Sequence, residues 1–312
     1  MKVAVTGGAG FIGSHLVPAF VCAGHDVVCT VEPSAPDALP GVRLFPVDIS
    51  TGEGIAEVFS GADVVVHLAA RNHVLRETEK DPLTAYRRVN VEGTRNVVRA
   101  ASVSGARLFV HLSSVKAMGE ESESILDEGN PCAPKTPYGI SKLESEEVVK
   151  AESAGSAMRV VILRLPMVYG PRNKGNLPRM IRWAERGFPF PLFQPDILRS
   201  MVYVENVVAG VLALLKGAHE GESKYILKDN EDYSTRRIYS AICRELGKKP
   251  LFLPVPAPLV RLGGMFSENF RKITGSFRVS SAKIEREIGF VPPVSPEDGI
   301  ARTVQWYKHS AH

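Results

Sequence analysis

The sequence lacks the features that mark a disulfide framework, a metal centre or a membrane protein. Its cysteines show neither C-x-x-C spacing nor another metal-ligand pattern, which fits reduced thiols. They are Cys22, Cys29, Cys132 and Cys243. No apolar run approaches the ~18 residues that a membrane-spanning helix needs, and a strand predicted from Lys2 leaves no room for a secretion signal. We therefore expect a cytoplasmic protein without a metal ion.

The chain also lacks a strong excess of one charge. Its formal net charge is +4 over 312 residues, and Lys and Arg are mixed with Asp and Glu rather than gathered in a run. Neither nucleic acid nor a membrane is therefore an expected partner, although a local basic pocket for phosphate stays open. With 44% hydrophobic residues the chain can bury the core of one large domain and a smaller one.

What the sequence does have is an alternation of strands and helices. Lys2–Thr6 is an apolar strand, a helical pattern covers 11–23, and Asp26–Val31 is a second strand. Further strands are expected at 42–46, 64–68, 108–113 and 160–165, with helices near 51–60, 83–104 and 137–154. Continuous apolar strands separated by helices indicate an α/β fold, with a Rossmann-type, doubly wound parallel sheet covered on both faces.

After Pro166 the pattern loosens, because prolines and glycines become frequent. Helical stretches are expected near 176–187, 205–217, 234–246 and 281–289. We interpret this part as a smaller, interleaved α/β domain that binds substrate. The cofactor domain would comprise 1–165 with about 198–232, and the substrate domain about 166–197 with 233–312.

A glycine-rich turn follows the first strand and opens the first helix, in the order Thr6-Gly7-Gly8-Ala9-Gly10-Phe11-Ile12-Gly13. Backbone amides at such a helix start can bind a pyrophosphate that side chains would otherwise block. Glycines at 7, 10 and 13 fit one spacing of this turn, and those at 8, 10 and 13 fit another. Glu32 follows the second strand, where a carboxylate would hold the adenosine ribose and repel a 2′-phosphate, favouring NAD over NADP. The alternatives are a tight turn without a ligand and a solvated loop glutamate.

Tyr138 and Lys142 are four residues apart on a predicted helix and therefore share one face. The cation can lower the pKa of the phenol towards neutrality, so that Tyr138 exchanges a proton with a sugar hydroxyl while a nicotinamide carries the hydride. Alone, the pair also fits an ordinary solvated helix face.

Five ordered motifs together resemble the extended short-chain dehydrogenase/reductases. They are the glycine turn, His67-Leu68-Ala69-Ala70, Asn90-Val91-Glu92-Gly93-Thr94, Ser113-Ser114, and Tyr138-Gly-Ile-Ser-Lys142. Over essentially its whole length the chain resembles the nucleotide-sugar epimerase/dehydratase group, which includes UDP-glucose 4-epimerase. It also resembles a bacterial branch associated with surface-polysaccharide synthesis, some of whose members reduce 4-keto nucleotide sugars.

The resemblance implies roles for individual residues. Ser114 would hydrogen-bond the sugar oxygen at C4, Tyr138 would be the acid/base, and Lys142 its electrostatic partner and a ribose ligand. Besides Tyr138 and Lys142, the implied cofactor-binding residues are Gly7, Gly10, Phe11, Ile12, Gly13, Glu32, Asp48, Ile49, Leu68, Ala69, Ala70, Asn90, Ser113 and Pro166. The implied substrate-binding residues are Ser114, Asn176, Leu177, Arg199 and Arg271.

Several of these positions also have a plainer interpretation. Asp48-Ile49 would contact adenine, or Asp48 would be a turn aspartate. Asn90 would tie a helix to the cofactor side of the sheet, and His67 is expected in the strand core.

The chain departs from related dehydratases at Val115-Lys116, where those enzymes carry an Asp-Glu pair that expels the C6 oxygen. A 4,6-dehydratase is therefore not expected. Met118 replaces a common aromatic residue, so the nicotinamide pocket differs from that of typical 4-epimerases.

We expect an NAD-dependent epimerase acting at C4 of a nucleotide-diphosphate sugar, with a UDP-sugar favoured. The alternatives are a 4-keto sugar reductase using NADPH and a non-catalytic NAD(P) sensor. A homodimer formed through the helices near 83–104 and 137–154 is expected.

Overall fold

The computed structural model describes residues 1–33, 39, 41–72, 79–122, 124–173, 175–192, 197–217, 222–255 and 277–310. Within these ranges the strands are β1 (Lys2–Thr6), β2 (Asp26–Val31), β3 (Arg43–Pro46), β4 (Val64–His67), β5 (Leu108–Ser114), β6 (Ile125–Leu126), β7 (Arg159–Leu165), β8 (Met167–Tyr169), β9 (Phe190–Leu192), β10 (Leu198–Arg199), β11 (Met201–Tyr203), β12 (Glu222–Ile226), β13 (Tyr233–Ser234), β14 (Phe252–Pro254) and β15 (Arg278–Val279). The α-helices are α1 (Gly13–Cys22), α2 (Ile55–Phe59), α3 (Pro82–Arg87), α4 (Gly93–Val103), α5 (Pro137–Ser153), α6 (Asn176–Glu185), α7 (Val204–Lys216), α8 (Thr235–Glu245), α9 (Ala282–Ile288) and α10 (Pro296–Ser310).

Seven strands form one parallel sheet in the order β3-β2-β1-β4-β5-β7-β12. The carboxyl ends of β1, β2 and β4 lie side by side, because Thr6 is in register with both Thr30 and His67. Strand order reverses between β1 and β4, and ligands of open α/β sheets bind at this point. The predicted Rossmann-type sheet is confirmed.

Apolar side chains cover both faces of the sheet, as a doubly wound fold requires. On one face α1 and α7 pack on the strands, and on the other α2, α4 and α5 do so. Representative buried residues are Leu16, Phe20, Val207 and Val211 on the first face and Phe59, Val97, Val98 and Val149 on the second.

The segments after β7 build a second core and several two-stranded sheets, of which β8 pairs with β11 and β10 with β13. Strand β12 belongs to the main sheet, and it lies within the 198–232 segment predicted to belong to the cofactor domain. The division into two domains at these bounds stays a prediction.

Two features differ from the sequence-based expectation. The helix expected over 83–104 is interrupted by a π-helical turn at Arg88–Glu92, and α10 was not predicted at all. The apolar pattern of α10 is sparse because Gly299 faces the core. A Cβ at Gly299 would lie 2.6 Å from the Tyr169 hydroxyl oxygen and 3.0 Å from the Tyr203 ring. The side chains of these two tyrosines therefore occupy the space next to Gly299.

Candidate active site

The glycine turn brings bare backbone to the carboxyl ends of β1 and β4. Gly7 has φ +71°, a conformation that glycine adopts without strain, and its amide donates to the carbonyl of Thr30 at 2.9 Å. A Cβ at Gly7 would lie 2.9 Å from the backbone of Ala69, and one at Gly13 would collide with the carbonyl oxygen of Gly8. Only glycine therefore fits at these two positions.

The turn is compatible with both glycine spacings that the sequence left open. A Cβ at Gly8 would lie 2.8 Å from the sulfur of Cys29, so Gly8 packs against β2 and is as restricted as Gly7. Gly10 is exposed, and its amide closes the turn on the carbonyl of Gly7 at 3.0 Å. The turn leads directly into α1, which begins at Gly13. Phe11 and Ile12, both half-buried, complete it, and the amides at the start of α1 fit the pyrophosphate of a dinucleotide.

The residues predicted near the adenosine lie at the ends of β2 and β3. Glu32 directly follows β2 and is exposed. Asp48 is also exposed, and the Ser50 amide that donates to it at 2.9 Å holds the pKa of this carboxyl below its usual value. Asp48 is therefore a turn aspartate, as the plainer interpretation predicts. Its position after β3 is also compatible with a contact to adenine. Ile49 is buried against Gly93, so only its backbone can reach a ligand.

Leu68, Ala69 and Ala70 follow β4 and are half-buried. The next residue of this segment, Arg71, is held by Asn90, whose side-chain oxygen Oδ1 accepts from the Arg71 backbone amide at 2.8 Å. The two amide hydrogens of Asn90 go to the carbonyl of Arg71 at 3.1 Å and to the hydroxyl of Ser141 at 3.0 Å. Asn90 thus links the π-helical turn, the segment after β4 and α5, and has no hydrogen left for a ligand.

Ser114 and Tyr138 are brought into direct contact. Ser114 is the last residue of β5, Tyr138 is the second residue of α5, and their side chains share a hydrogen bond. The Thr136 hydroxyl caps α5 by accepting from the Gly139 amide at 3.2 Å. A Cβ at Gly139 would lie 2.5 Å from the carbonyl oxygen of Lys116, so glycine allows the start of α5 to approach the turn after Ser114.

Lys142 lies one turn further along α5 and is 2% exposed. Its ammonium donates to the carbonyl of Leu112 at 2.9 Å, and burial lowers its pKa to about 8. Burial also raises the pKa of Tyr138 above its ordinary value, although the hydrogen bond with Ser114 acts in the opposite direction. The sequence-based expectation of a lowered phenol pKa is therefore wrong for the free protein, because loss of hydration outweighs the neighbouring groups.

Two stacked histidines lie beneath Lys142 in the core, with ring centroids 5.2 Å apart. His67 contacts Thr6 at 2.6 Å and Thr94 at 2.9 Å. Because Thr94 gives its only hydroxyl hydrogen to the carbonyl of Asn90, His67 donates from Nε2 and accepts at Nδ1. Burial lowers the pKa of His67 to about 3, with Lys142 adding to the effect, and the pKa of His111 is likewise well below its usual value. Both rings are therefore neutral, and His67 lies in the strand core as expected.

Ser113, predicted to contact the cofactor, points elsewhere. Its hydroxyl donates at 2.6 Å to the carboxylate of Glu146, which is buried and paired with Arg164. Successive side chains of a strand point to opposite faces of the sheet, so the side chains of Ser113 and Ser114 point in different directions. Glu146 and Arg164 were not predicted as site residues from the sequence. Two sequence features could have indicated this pair. Glu146 follows Lys142 by four residues, and Arg164 interrupts the apolar run of β7.

Of the predicted substrate residues, Asn176, Leu177 and Arg199 follow β7 in the chain, whereas Ser114 ends β5 of the main sheet. Pro166, a predicted cofactor residue, is buried directly after β7. Asn176 is exposed at the start of α6, and Leu177 lies in the second core, so Leu177 offers its backbone amide only. Arg199 is half-buried in β10, where burial lowers its pKa. Arg271 lies outside the described residues.

Among the described residues, no group of three or more His, Cys, Asp or Glu side chains could hold a metal ion. In the same part of the chain, every helix is too short or too polar to cross a membrane.

Comparison with known proteins places this site in context. The model of the "NAD dependent epimerase/dehydratase family" matches residues 3–228, well over half of the chain. UDP-glucose 4-epimerase from Vibrio cholerae is 31% identical over 311 residues, covering 97% of this chain and 94% of the relative. A dTDP-glucose 4,6-dehydratase from Streptomyces griseus is 30% identical over 323 residues, covering 98% and 94%.

The solved structure of MoeE5 in complex with UDP-glucose and NAD superposes with a TM-score of 0.81 at 25% identity, covering all of both chains. The family match, the two relatives and the superposition agree with the Rossmann-type fold described above. The chain belongs to the NAD dependent epimerase/dehydratase family.

Proposed function

We propose that this protein is an NAD-dependent epimerase that inverts C4 of a nucleotide-diphosphate sugar, with a UDP-sugar as substrate. The observation that carries the proposal is the hydrogen-bonded pair of Ser114 and Tyr138 at the carboxyl end of the sheet, with the buried Lys142 one helical turn away. The similarity to UDP-glucose 4-epimerase over nearly the whole chain supports it.

NAD bound at the glycine turn would supply reversible hydride transfer at C4, with removal and return on opposite faces of the sugar. Ser114 orients the C4 oxygen by hydrogen bonding. Tyr138 takes the hydroxyl proton as the C–H bond breaks, and gives a proton back to the same oxygen when the C–H bond forms again. Lys142 supplies positive charge close to Tyr138, and with a pKa of about 8 it is mostly protonated at neutral pH. This charge favours the phenolate that proton removal requires.

The residues after Ser114 do not supply the acid and base of a dehydratase. Val115 is buried in a small apolar cluster with Phe277. The Lys116 ammonium donates to the carbonyl of Glu120 at 3.1 Å and lies 4.9 Å from the centre of the Phe277 ring. Without a carboxylate here, the chemistry stays at C4.

The diphosphate of the substrate would be held between α6 and β10. Free backbone amides in the first turn of α6, at Asn176 and Leu177, favour an anion, and the Arg199 guanidinium can bind phosphate oxygens in pairs. The structural relative MoeE5 has been solved with UDP-glucose, so UDP-sugars are the first substrates to test.

The proposal is tested by denaturing the purified protein and identifying the released nucleotide by mass and absorbance. We expect stoichiometric NAD. The native protein is then incubated with UDP-glucose, UDP-N-acetylglucosamine and UDP-glucuronic acid, and the 4-epimer is followed by proton NMR without added cofactor. Tyr138→Phe should lower the rate by about 10²–10⁴-fold.

Two outcomes would overturn the proposal. A protein that releases no nucleotide and oxidises NADPH only when given a 4-keto sugar is a reductase. A protein whose biological activity survives Tyr138→Phe unchanged is a sensor.

We also propose that the protein is cytoplasmic and forms a homodimer. Light scattering at micromolar concentration would test the dimer, and a monomer would contradict it. Within the surface formed by α3, α4 and α5, the apolar residues Val97, Val98 and Ala101 of α4 are buried against the sheet, whereas Val103 at its end is exposed. Ion pairs cross the outer surface of these helices. They join Arg87 to Glu144, and Arg95 and Arg99 to Glu152. A dimer through these helices would be joined largely by polar contacts.

A further inference from the structure

We propose that Glu146 is a positioning residue of this active site, whose carboxylate fixes the end of β5 against α5 and keeps the Lys142 ammonium charged. The inference rests on the proposed function, because it concerns how the same Ser114, Tyr138 and Lys142 are held ready.

The Glu146 carboxylate is fully engaged and almost fully buried. Glu146 and Arg164 are each 1% exposed, and Arg164 donates to the two carboxylate oxygens from Nε at 2.9 Å and Nη2 at 2.7 Å. Ser113 donates to Oε1 at 2.6 Å, and Lys224 approaches Oε2 at 3.2 Å. A bidentate ion pair with Arg164 and two further donors together hold the Glu146 carboxylate in one orientation.

Through Ser113, this carboxylate fixes the strand segment that the reaction uses. Leu112, immediately before Ser113, provides the carbonyl that accepts from the Lys142 ammonium. Ser114, immediately after it, provides the hydroxyl that meets Tyr138. Glu146 therefore ties α5, which carries the acid/base and its cation, to the residues of β5 on which both depend.

Glu146 also acts on Lys142 by charge, since the two residues are one helical turn apart on α5. Burial lowers the pKa of Lys142, and the Glu146 carboxylate is the group that opposes it. Glu146 is itself ionised, because Arg164, Lys224 and Ser113 lower its pKa although burial alone would raise it.

Among the described residues, Glu146 is the one carboxylate that raises the pKa of Lys142. The titratable or charged groups around the pair are Tyr138 on α5, His67 on β4, His111 on β5, Arg164 on β7, Lys224 on β12 and Cys132 before α5. Of these, His67 and His111 are neutral, and Arg164 and Lys224 bind the carboxylate itself.

The experiment compares two changes with a matched control. Glu146→Gln keeps the shape but leaves the buried Arg164 without a counter-charge, so this variant risks misfolding. The paired variant Glu146→Leu/Arg164→Met removes both charges, and buried ion pairs exchanged for apolar residues of similar volume commonly fold. Glu144→Gln is the control, because Glu144 lies on the same helix and also pairs with an arginine, but at the surface.

The first measurement is the pKa of Lys142, read from the ¹³Cε NMR shift of labelled lysine, with Lys142→Met to assign the signal. We expect it to fall by about one unit in the paired variant and to stay at about 8 in the wild type and in Glu144→Gln. This measurement needs no substrate, so it stands even if the proposed function fails.

The second measurement is the pH profile of kcat and KM with the substrate that the wild type turns over. The alkaline limb should move to lower pH by the same amount, and kcat at pH 8 should fall about fivefold with KM nearly unchanged. A folded paired variant with an unchanged Lys142 pKa and pH profile would overturn the proposal. A paired variant that does not fold would also overturn it, by making the pair purely structural.

Discussion

Two buried polar clusters in this molecule each contain a carboxylate but differ in their other side chains and in charge. The catalytic network lies between the main sheet and α5, and the tyrosine cluster lies in the second core. The catalytic network comprises His67, His111, Lys142, Glu146 and Arg164. The tyrosine cluster comprises Tyr169, Tyr203, Asn206, Asp229 and Tyr233.

In the tyrosine cluster every contact serves to join elements. Asp229 is 0% exposed and accepts from the Tyr203 amide at 2.9 Å and from Asn206 at 2.7 Å. Its second oxygen accepts from the hydroxyls of Tyr169 and Tyr233 at 3.0 and 2.9 Å. Burial raises the pKa values of Asp229 and both tyrosines, so the phenols stay neutral. The cluster binds β8, β11 and β13 together, and Asn206 extends it to the segment before α10.

The catalytic network instead keeps a cation where water is excluded. Lys142 has a lowered pKa, which means that its charged form is less stable in the folded protein than in water. Buried charge is costly even when paired, and active sites keep it because the reaction needs it. The difference predicts opposite results when the two clusters are changed.

The largest expected effect is on activity in the catalytic network. Lys142→Met should lower kcat by about 10²–10³-fold, because Tyr138 loses the charge that favours its phenolate. The same change should raise the free energy of unfolding at pH 7 by about 1–2 kcal/mol, because an apolar side chain replaces a buried ammonium. Steady-state kinetics and urea unfolding measure the two effects. A Lys142→Met protein that is both active and less stable than the wild type would contradict the proposed difference between the two clusters.

A smaller effect, on stability, is expected in the tyrosine cluster. Asp229→Asn should lower the free energy of unfolding by about 2–4 kcal/mol, because an amide cannot accept from four donors. The activity of the folded fraction should stay within about threefold of the wild type. Asp26→Asn is the control, since Asp26 forms an exposed ion pair with Arg43 at 3.6 Å and should cost less than about 0.5 kcal/mol. Equal losses in both variants would show that burial of Asp229 contributes nothing.

The smallest effect is the dependence of stability on pH. The unfolded chain binds a proton on lysine up to about pH 10.5, whereas folded Lys142 releases it near pH 8. Between these values the wild type should therefore gain stability as pH rises, relative to Lys142→Met, by about 2 kcal/mol from pH 8 to 10. Urea unfolding of both proteins across this range checks the sign. A constant difference would mean that Lys142 titrates alike in both states.

The sequence predicted most of the sheet because its strands are continuous apolar runs. The strand Asp26–Val31 has the predicted bounds, and β4, β5 and β7 agree to within one residue at each end. It missed α10, because Gly299 and Thr303 occupy core-facing positions that no apolar pattern marks. It predicted that Asn90 ties a helix to the cofactor side of the sheet, and the Asn90 side chain does bond to Arg71 and Ser141. The cofactor contacts predicted for Ser113 and Asn90 stay predictions.

Local order along the chain determined the glycine turn, the four-residue spacing of Tyr138 and Lys142, and the family. These features depend on backbone conformation and helical periodicity, which neighbouring residues set. The tertiary structure alone decided which charges are buried together. Glu146, Arg164 and Lys224 come from a helix and two strands far apart in sequence, and the raised pKa of Tyr138 follows from the packing around it. Hydration is lost only when distant elements close over a side chain, so no local pattern records it.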